Sequence, residues 1–286
     1  MFTAKIENAN GSILELTGNE ANYQIVSITG LNPPEAQINV TNIAGLDGAR
    51  FNSAKLNTRN LVITLRLNNN PEQNRHLLYM YFRTKEACTF YYKNNTVDVF
   101  INGFVDTVEC NLFEHGEIMQ ISIICPSPYF SSIQQVITDI SNEISAFTFP
   151  FSINLGEPIP FSIYEQNRTT NVYNGSQAET GTIIQIDVIS AVQSIKIINI
   201  VTGEYIELHG NFIAGDRLTI NTNKGEKGVT LLRNAAVTNA FTTVQIGSTF
   251  FQLAVGDNLF NFQVDNGLND DFVYIVFQFN YLYRGV

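Results

Sequence analysis

The stretch from Arg59 to Leu67 has the sequence RNLVITLRL. Apolar residues occupy every second position in it, at Leu61, Ile63, Leu65 and Leu67. Successive side chains of a β-strand point to opposite faces, so this spacing predicts a strand with one apolar face. We therefore expect a β-rich protein built around this strand.

Hairpin and helix signals lie on both sides of this strand. Asn10-Gly11 and Lys93-Asn94-Asn95 each separate two apolar runs, which is typical of β-hairpins. Asn70 is a candidate helix cap ahead of Pro71, and the apolar residues at 77, 78, 81 and 82 share one helical face. The first half of the chain is thus predicted to contain two hairpins and a helix over about 71–84.

The second half of the chain shows further β periodicity. Turn signals separate its apolar runs at intervals of roughly 8–12 residues, which indicates a β-sandwich or barrel. Ser131 to Ser145 is polar and aperiodic, so we place a connector there. The predicted division is a domain at 1–130, a linker at 131–146 and a domain at 147–286. The predicted strands of the second half are 183–189, 195–200, 205–208, 217–221, 229–232, 241–246, 250–253, 259–264 and 272–283.

Composition and charge restrict the classes of function. The chain has 286 residues, of which 44% are hydrophobic and 15% charged, and its formal net charge is -10. This apolar content excludes a disordered chain, and the acidic balance argues against a surface that holds phosphates. Residues 1–130 carry 9 basic and 12 acidic residues, net -3, and residues 131–286 carry 7 and 14, net -7. We expect no secretory signal and no membrane insertion, since Lys5 and Glu7 interrupt the N-terminal apolar residues and no apolar run reaches about 18 residues.

The sequence carries no complete catalytic or metal-binding motif. The patterns HExxH, GxSxG and CxxC are absent, and Asp216 stands where a phosphate-binding loop requires Lys. We therefore predict no enzyme, no cofactor and no metal site, with Cys88, Cys110 and Cys125 as buried free thiols. A carbohydrate-binding β-sandwich is an alternative, in which Tyr164 or Tyr173 would supply an exposed ring for a sugar.

Short motifs occur in a distinctive order along the chain. Gly30-Leu31-Asn32-Pro33-Pro34 is followed by the segments 44–51 and 57–60, and then by Cys125-Pro126-Ser127-Pro128-Tyr129-Phe130. The order covers about residues 25–130 and continues more weakly into the second half. In this order and spacing the chain resembles the distal tail proteins of bacteriophages with long, non-contractile tails. We expect the motif residues to be structural signature positions rather than a binding site. They are Gly30, Pro33, Pro34, Asp47, Gly48, Phe51, Arg59, Cys125, Pro126, Pro128, Tyr129 and Gly215.

This resemblance implies a fold and an assembly. The first domain would be a tail-tube-like β-sandwich with one helix and a projecting hairpin, and the second a galectin-like β-sandwich. Six copies would form a ring around a channel that duplex DNA only passes through. Tail tube protein would bind one face of the ring and a tail-associated, spike-like protein the other, while the second domain would dock receptor-binding or baseplate proteins. The implied location is the tip of the virion tail, after assembly in the bacterial cytoplasm, with a role in host adsorption and genome ejection.

Other interpretations stay open beside the distal hub. The alternative to the hub is a tail tube or other ring-forming tail subunit. Arg59 is expected either to bridge to a carboxylate or carbonyl of a neighbouring chain or to be a solvated charge at a strand end. Loops that face the channel are expected to be poor in Lys and Arg, because a neutral or negative wall repels DNA. A bore lined by Arg59, Arg66 or Lys93 would contradict that expectation.

Overall fold

The computed structural model describes residues 2–45, 47–112, 116–140, 143–145, 162–164, 169–265 and 272–286. The fold is mainly β, as the sequence predicts, and the described residues contain one α-helix. The chain divides into two compact units, Met1–Gln134 with Leu282–Val286 and Gln135–Tyr281. The first unit thus takes in the last five residues, which the sequence had placed with the second domain.

The first unit is a sheet in the order β2-β1-β7-β8-β9-β6-β3, with the helix α1 and a separate two-stranded sheet β4-β5. Strand β10 also pairs with β8 through two residues, Ser131 and Ser132. The elements are β1 (Thr3–Asn8), β2 (Ile13–Glu15), β3 (Tyr23–Thr29), β4 (Ala36–Asn42), β5 (Ala49–Leu56), β6 (Arg59–Leu67), α1 (Pro71–Tyr81), β7 (Ala87–Lys93), β8 (Asp98–Cys110), β9 (Ile118–Cys125) and β10 (Phe130–Asp139).

Strand β6 lies at the centre of the first unit's core. It pairs antiparallel with β3 on one edge and with β9 on the other. Its alternating residues Leu61, Ile63 and Leu65 are fully buried, as the period-two spacing predicts. Burying a side chain of this size stabilises a fold by roughly 1.5–3 kcal/mol, so this strand is a major contributor to the stability of the unit.

The helix begins at Pro71, as predicted, and ends at Tyr81. Leu78 and Phe82 are buried in the core of the unit, which confirms the predicted apolar face. The predicted side-chain cap is wrong. Asn70 occupies the N-cap position with φ 50°, in the left-handed region, and its side chain makes no capping hydrogen bond.

Both predicted hairpins of the first half are present. β1 and β2 pair across Asn10-Gly11, and β7 and β8 pair across the turn that follows Lys93. Residues 131–139, which the sequence predicts as an aperiodic connector, belong to strand β10, and the division between the two units falls after Gln134, inside the predicted linker. Residues 141–142 and 146 of the predicted linker lie outside the described residues.

Two antiparallel sheets of the second unit share one apolar core, and β11 and β12 pair with each other as a separate small sheet. One sheet contains the strands β19-β18-β17-β14-β21 and the other contains β13-β20-β15-β16. The cluster between them includes Ile186 and Phe277 from the first sheet and Ile197 and Phe262 from the second, so the unit is a β-sandwich. Its strands are β11 (Glu143–Ser145), β12 (Ser162–Tyr164), β13 (Thr170–Asn171), β14 (Ile183–Val188), β15 (Val192–Asn199), β16 (Tyr205–Phe212), β17 (Arg217–Asn221), β18 (Gly228–Arg233), β19 (Ala236–Asn239), β20 (Leu259–Val264) and β21 (Val273–Tyr283).

Two predicted strands of the second half are wrong. Residues 241–246 contain a 3₁₀ helix over Phe241–Thr243, and residues 250–253 contain only an isolated bridge at Leu253. The polar backbone of this region bonds to the edge of β16 at separated points, since the Gln245 amide donates to Glu207 and the Thr249 amide to Tyr205. Strand β19 was not predicted, because its four residues are all exposed and lack a buried face.

The three cysteines are free. Cys88 and Cys125 are buried as expected, but Cys110 is partly exposed, so that expectation is wrong for one of the three. Burial raises the pKa of Cys88 to about 12 and that of Cys125 to about 11, which keeps both thiols protonated at neutral pH. In the part of the chain that the structure describes, no helix is both long and apolar enough to span a membrane.

Candidate interaction surface

The exposed hairpin of the first unit consists of β4, β5 and the turn between them. The two strands pair with each other from Ala36 and Leu56 at the base to Asn42 and Ala49 near the tip. They form a sheet of their own, and almost every residue in them is exposed. Gly48 in the turn has φ 89°, which a residue with a side chain adopts only with strain. The hairpin therefore extends away from the packed core of its unit.

One face of this hairpin is apolar. Ile38 lies opposite Ala54 and Val40 lies opposite Phe51, so these four side chains share a face. The exposed fractions are 61% for Ile38, 53% for Val40 and 62% for Phe51. Exposed apolar side chains grouped on one face of a strand pair are typical of a surface that binds another molecule. We call these four residues the apolar face.

The opposite face of the hairpin is polar and held in register by side-chain hydrogen bonds. Asn39 Nδ2 donates to Ser53 Oγ at 3.0 Å. A bulge opposite Asn39 and Val40 adds Asn52, whose Nδ2 donates to Thr41 Oγ1 at 2.7 Å. The bulge keeps Phe51 on the apolar face despite the extra residue in β5.

The charge of the hairpin differs from that of the rest of its unit. Residues 36–56 contain Arg50 and Lys55 against Asp47, net +1. Residues 1–35 and 57–130 contain 7 basic and 11 acidic residues, net -4. None of the ion pairs that join described residues involves Arg50 or Lys55. The two cations of the polar face are thus available to a carboxylate outside the hairpin.

A buried arginine lies beside the base of the hairpin. Arg59, the first residue of β6, is 2% exposed, and its guanidinium donates to four backbone carbonyls. Nη1 donates to the carbonyls of Gly30 and Asn32, the second at 2.6 Å. Nε and Nη2 donate to Pro128 at 3.1 and 2.8 Å, and Nη2 also donates to Arg284 at 2.5 Å. One side chain thereby holds three separate segments of the unit against β6.

The surroundings of Arg59 contradict both sequence expectations for it. The positive charge of Arg59 is balanced by carbonyl dipoles and by the ring of Phe130, whose centroid lies 4.5 Å from Arg59 Cζ. None of the ion pairs among the described residues involves Arg59. Burial lowers the pKa of the guanidinium. Arg59 is therefore an internal structural cation, neither a solvated charge nor a bridge to a neighbouring chain.

The structure brings some signature positions together and leaves others apart. Gly30 and Pro128 meet at Arg59, and the buried Cys125 lies opposite Arg59 on the neighbouring strand β9. Gly30 has φ 86°, and an added Cβ there would overlap the carbonyl of Asn60, so only glycine fits. Asp47, Gly48 and Phe51 lie in the hairpin, Pro33 and Pro34 precede it, Pro126 and Tyr129 lie in the turn after β9, and Gly215 lies in the second unit.

Sequence reasoning missed several residues of this surface. Ile38 and Val40 were not identified, although the alternation in AQINVTN is a strand signal. Phe130 and the carbonyls of Asn32 and Arg284 carry no local signal, because their role depends on contacts between distant segments. Tyr173, the candidate sugar-stacking ring, is 56% exposed, and no cluster of metal-ligating side chains occurs in the described ranges.

The chain is similar to known phage tail proteins in sequence over part of its length and in fold over almost all of it. Residues 175–281 match the family model of the siphovirus-type tail component, C-terminal domain. No curated protein matches the chain. The crystal structure of the SPP1 Dit (gp 19.1) protein, described as a paradigm of the hub adsorption apparatus in Gram-positive infecting phages, matches with a TM-score of 0.71 and 13% identity. The match covers 98% of this chain and 99% of that one.

Two structures of the phage P2 baseplate in its activated conformation are also similar. The one with Ca has a TM-score of 0.53 and 11% identity, and the one with Sr a TM-score of 0.51 and 10% identity. Both matches cover 97% of this chain and 98% of the other. At such identities the likeness shows a shared fold. The match of residues 175–281, together with a fold shared over almost the whole chain, confirms the resemblance to the siphophage distal tail family that the motif order indicated.

Proposed function

We propose that this chain is a structural virion protein, the distal tail hub that joins the tail tube to the tail-tip adsorption apparatus. Residues 1–130 form the ring together with the last five residues, 282–286, residues 131–146 lead out of it, and residues 147–281 form a peripheral domain. Six copies close the ring around a channel for DNA. The observation that carries this proposal is the apolar face of the exposed hairpin, which no described residue of its own unit covers.

A second copy of the same chain suits this face best. An apolar centre flanked by polar residues and two available cations is the pattern of a protein–protein interface. The remainder of residues 1–130 is acidic, at net -4, and so complements a hairpin of net +1. A hairpin that docks on a different surface of the next copy makes a head-to-tail contact, and such contacts generate closed rings when the rotation from copy to copy closes on itself.

The positions of the basic residues agree with a channel that lets DNA slide. Arg59 is buried, and Lys93 Nζ is paired with Asp98 at 2.6 Å, so neither offers a free cation to phosphates. Arg66, on β6, is exposed. It is the third of the cations whose presence along the channel wall would contradict the proposal. The net charge of -3 over residues 1–130 disfavours tight binding to the phosphates of DNA.

The expected partners follow from this position in the virion. Tail tube protein binds one face of the ring and a tail-associated, spike-like protein the other. The second β-sandwich docks receptor-binding or baseplate proteins, which links the ring to host adsorption and genome ejection. The chain assembles in the bacterial cytoplasm and acts without catalysis, cofactor or metal.

The test is the oligomeric state of the purified chain and of two matched double variants. Native mass spectrometry and negative-stain microscopy should show hexameric rings for the wild type. Ile38→Asp with Phe51→Asp places two charges on the apolar face and should leave a folded monomer. Thr41→Asp with Ser53→Asp places the same charges on the polar face and should retain the ring.

Other outcomes distinguish the alternatives. If the apolar-face variant forms rings as well as the polar-face variant does, the hairpin is not the subunit contact. Stacks of identical rings indicate a tail tube or other ring-forming tail subunit. A monomer that binds glycans tightly on an array indicates a carbohydrate-binding β-sandwich protein and contradicts the hub.

A further inference from the structure

The last five residues of the chain pack as part of the first unit. We call Leu282–Val286 the strap; its first two residues are the end of strand β21. Tyr283 and Val286 pack against the apolar core of that unit. The backbone amide of Val286 donates to the carbonyl of Leu31 at 3.1 Å, and the carbonyl of Arg284 accepts from Arg59 Nη2 at 2.5 Å.

The strap lies against the residues that lead into the exposed hairpin. We call the two segments Gly30–Glu35 and Asn57–Thr58 the root. They meet where the Asn57 amide donates to the carbonyl of Glu35 at 3.0 Å. An added Cβ at Gly285 would lie 3.0 Å from the carbonyl oxygen of Leu31 and from Cδ of Pro33, so a side chain there requires these neighbours to shift by a few tenths of an ångström.

Arg59 ties the strap and the root together. Its guanidinium donates at once to Gly30 and Asn32 in the root and to Arg284 in the strap. Because the donors of one planar group serve both segments, displacing the strap removes an acceptor from a buried cation and frees one side of the root. The strap and the root are therefore energetically linked.

The root controls where the hairpin points. The hairpin strands pair only with each other, so the described contacts that orient it are those at its root. A strand of seven residues is about 23 Å long, so a pivot of about 10° at the root moves the tip by about 4 Å. A displacement of that size is enough to separate an apolar face from a complementary surface.

We propose that the strap, acting through Arg59, holds the root in the orientation that lets the hairpin dock on a second copy. This inference rests on the proposed function, since it concerns control of the same surface. With the strap seated, the apolar face is presented in one direction and ring closure is favoured. With the strap displaced, the hairpin pivots and the ring is not formed, while the β3-β6-β9 part of the sheet remains intact.

The test displaces the strap without touching Arg59 or the hairpin. Gly285→Val forces side-chain atoms against Leu31 and Pro33. The matched control is Gly228→Val in the second unit, where the atom nearest to an added Cβ is 3.9 Å away. Hydrogen exchange of the full-length chain reports on the strap through the Val286 amide and on the root through the Asn57 amide. Sedimentation velocity reports on assembly.

The expected result is at least tenfold faster exchange of both amides in Gly285→Val, unchanged exchange in the ladder between β6 and β9, and at least a tenfold higher concentration for ring formation. Gly228→Val should match the wild type. If the β6–β9 ladder also loses protection, Gly285→Ala repeats the test with a smaller side chain. Arg59→Lys, which keeps the charge but cannot reach all four carbonyls, should also speed exchange of the Val286 and Asn57 amides, with some loss of protection in the β6–β9 ladder because Arg59 stabilises the whole unit.

Two outcomes overturn the proposal. Unchanged exchange at Asn57 in Gly285→Val shows that the strap does not hold the root. Faster exchange with wild-type assembly shows that the hairpin docks regardless of the strap. A wild-type chain that stays monomeric under all conditions instead refutes the proposed ring, and the exchange measurement still decides whether the strap holds the root.

Discussion

Strand β6 and the exposed hairpin β4–β5 have the same sequence pattern and opposite environments. Both alternate apolar and polar side chains, through Leu61, Ile63 and Leu65 in one and through Ile38 and Val40 in the other. The apolar side chains of β6 are completely buried between neighbouring strands, whereas those of the hairpin are more than half exposed. Period-two alternation therefore predicts a strand, but it does not tell whether the apolar face is covered by the chain itself or by another molecule.

The largest expected effect is the difference in stability between these two regions. Leu65→Ala should lower the free energy of unfolding of the first unit by about 2–5 kcal/mol, because it leaves a cavity in a packed core. Ile38→Ala should change it by less than about 0.5 kcal/mol, because the side chain is exposed in the isolated chain. Hydrogen exchange of the β6–β9 ladder under urea measures both values. Equal losses in the two variants would mean that the hairpin face is buried in the isolated chain.

The two arginines of these regions offer a second contrast. Arg59→Met removes the donor of four carbonyls and should destabilise the first unit by about 2–3 kcal/mol, with relief of the buried charge offsetting part of the loss. Arg50→Met on the exposed hairpin should be neutral within about 0.5 kcal/mol. Urea unfolding of both variants, followed through the same ladder, provides the measurement. A neutral Arg59→Met would show that water replaces the guanidinium as the donor.

A smaller effect concerns carboxylates and depends on pH. Asp216 in the second unit accepts from Arg233 Nε at 2.8 Å and from the Ile213 amide at 2.9 Å, and the hydrogen bond from Arg233 is the main reason that its pKa is lowered. A carboxylate with a lowered folded-state pKa stabilises the fold above its unfolded pKa of about 3.9, and this contribution is lost as the pH falls through the folded value. Asp216→Asn should cost about 1–2 kcal/mol at pH 7.

Urea unfolding of the second unit at pH 7 and at low pH measures this loss of stability, and a variant of an exposed carboxylate provides the control. The difference between wild type and Asp216→Asn should begin to shrink below about pH 4, where the carboxyl of the unfolded chain becomes protonated, and should be lost once the pH falls below the lowered folded-state pKa. Asp47→Asn at the tip of the exposed hairpin should have no effect at either pH, since this residue is exposed. If the difference in the free energy of unfolding between wild type and Asp216→Asn stays constant down to pH 2, the charge of Asp216 is not what stabilises the unit.

Sequence reasoning recovered most of the regular elements. The bounds of β17 and β20 were predicted without error, as was the start of the helix at Pro71, because alternation and proline position are local signals. Phe241 to Ile246 was predicted as a strand from its apolar residues, but its backbone meets only the edge of β16. Strand β10 was missed because its polar residues and its exposed Ile133 and Ile137 give no clear apolar face.

The candidate surface was less predictable than the fold. The turn at Asp47-Gly48 and the importance of Arg59 were visible in the motif order. The role of Arg59 was predicted wrongly, since an arginine at a strand end is normally solvated and only its four carbonyl partners make burial possible. No sequence signal showed that residues more than 200 positions apart would meet there.

By itself, the sequence determined the β-rich class, the turns and which side of each strand is apolar, since these depend on backbone sterics and on spacing within a few residues. Only the tertiary structure decided that β6 is enclosed, that the β4–β5 hairpin is left uncovered and that Leu282–Val286 packs with the first unit. Those outcomes depend on which distant segments come together, because burial and the satisfaction of backbone carbonyls are properties of the packed chain and not of any local stretch.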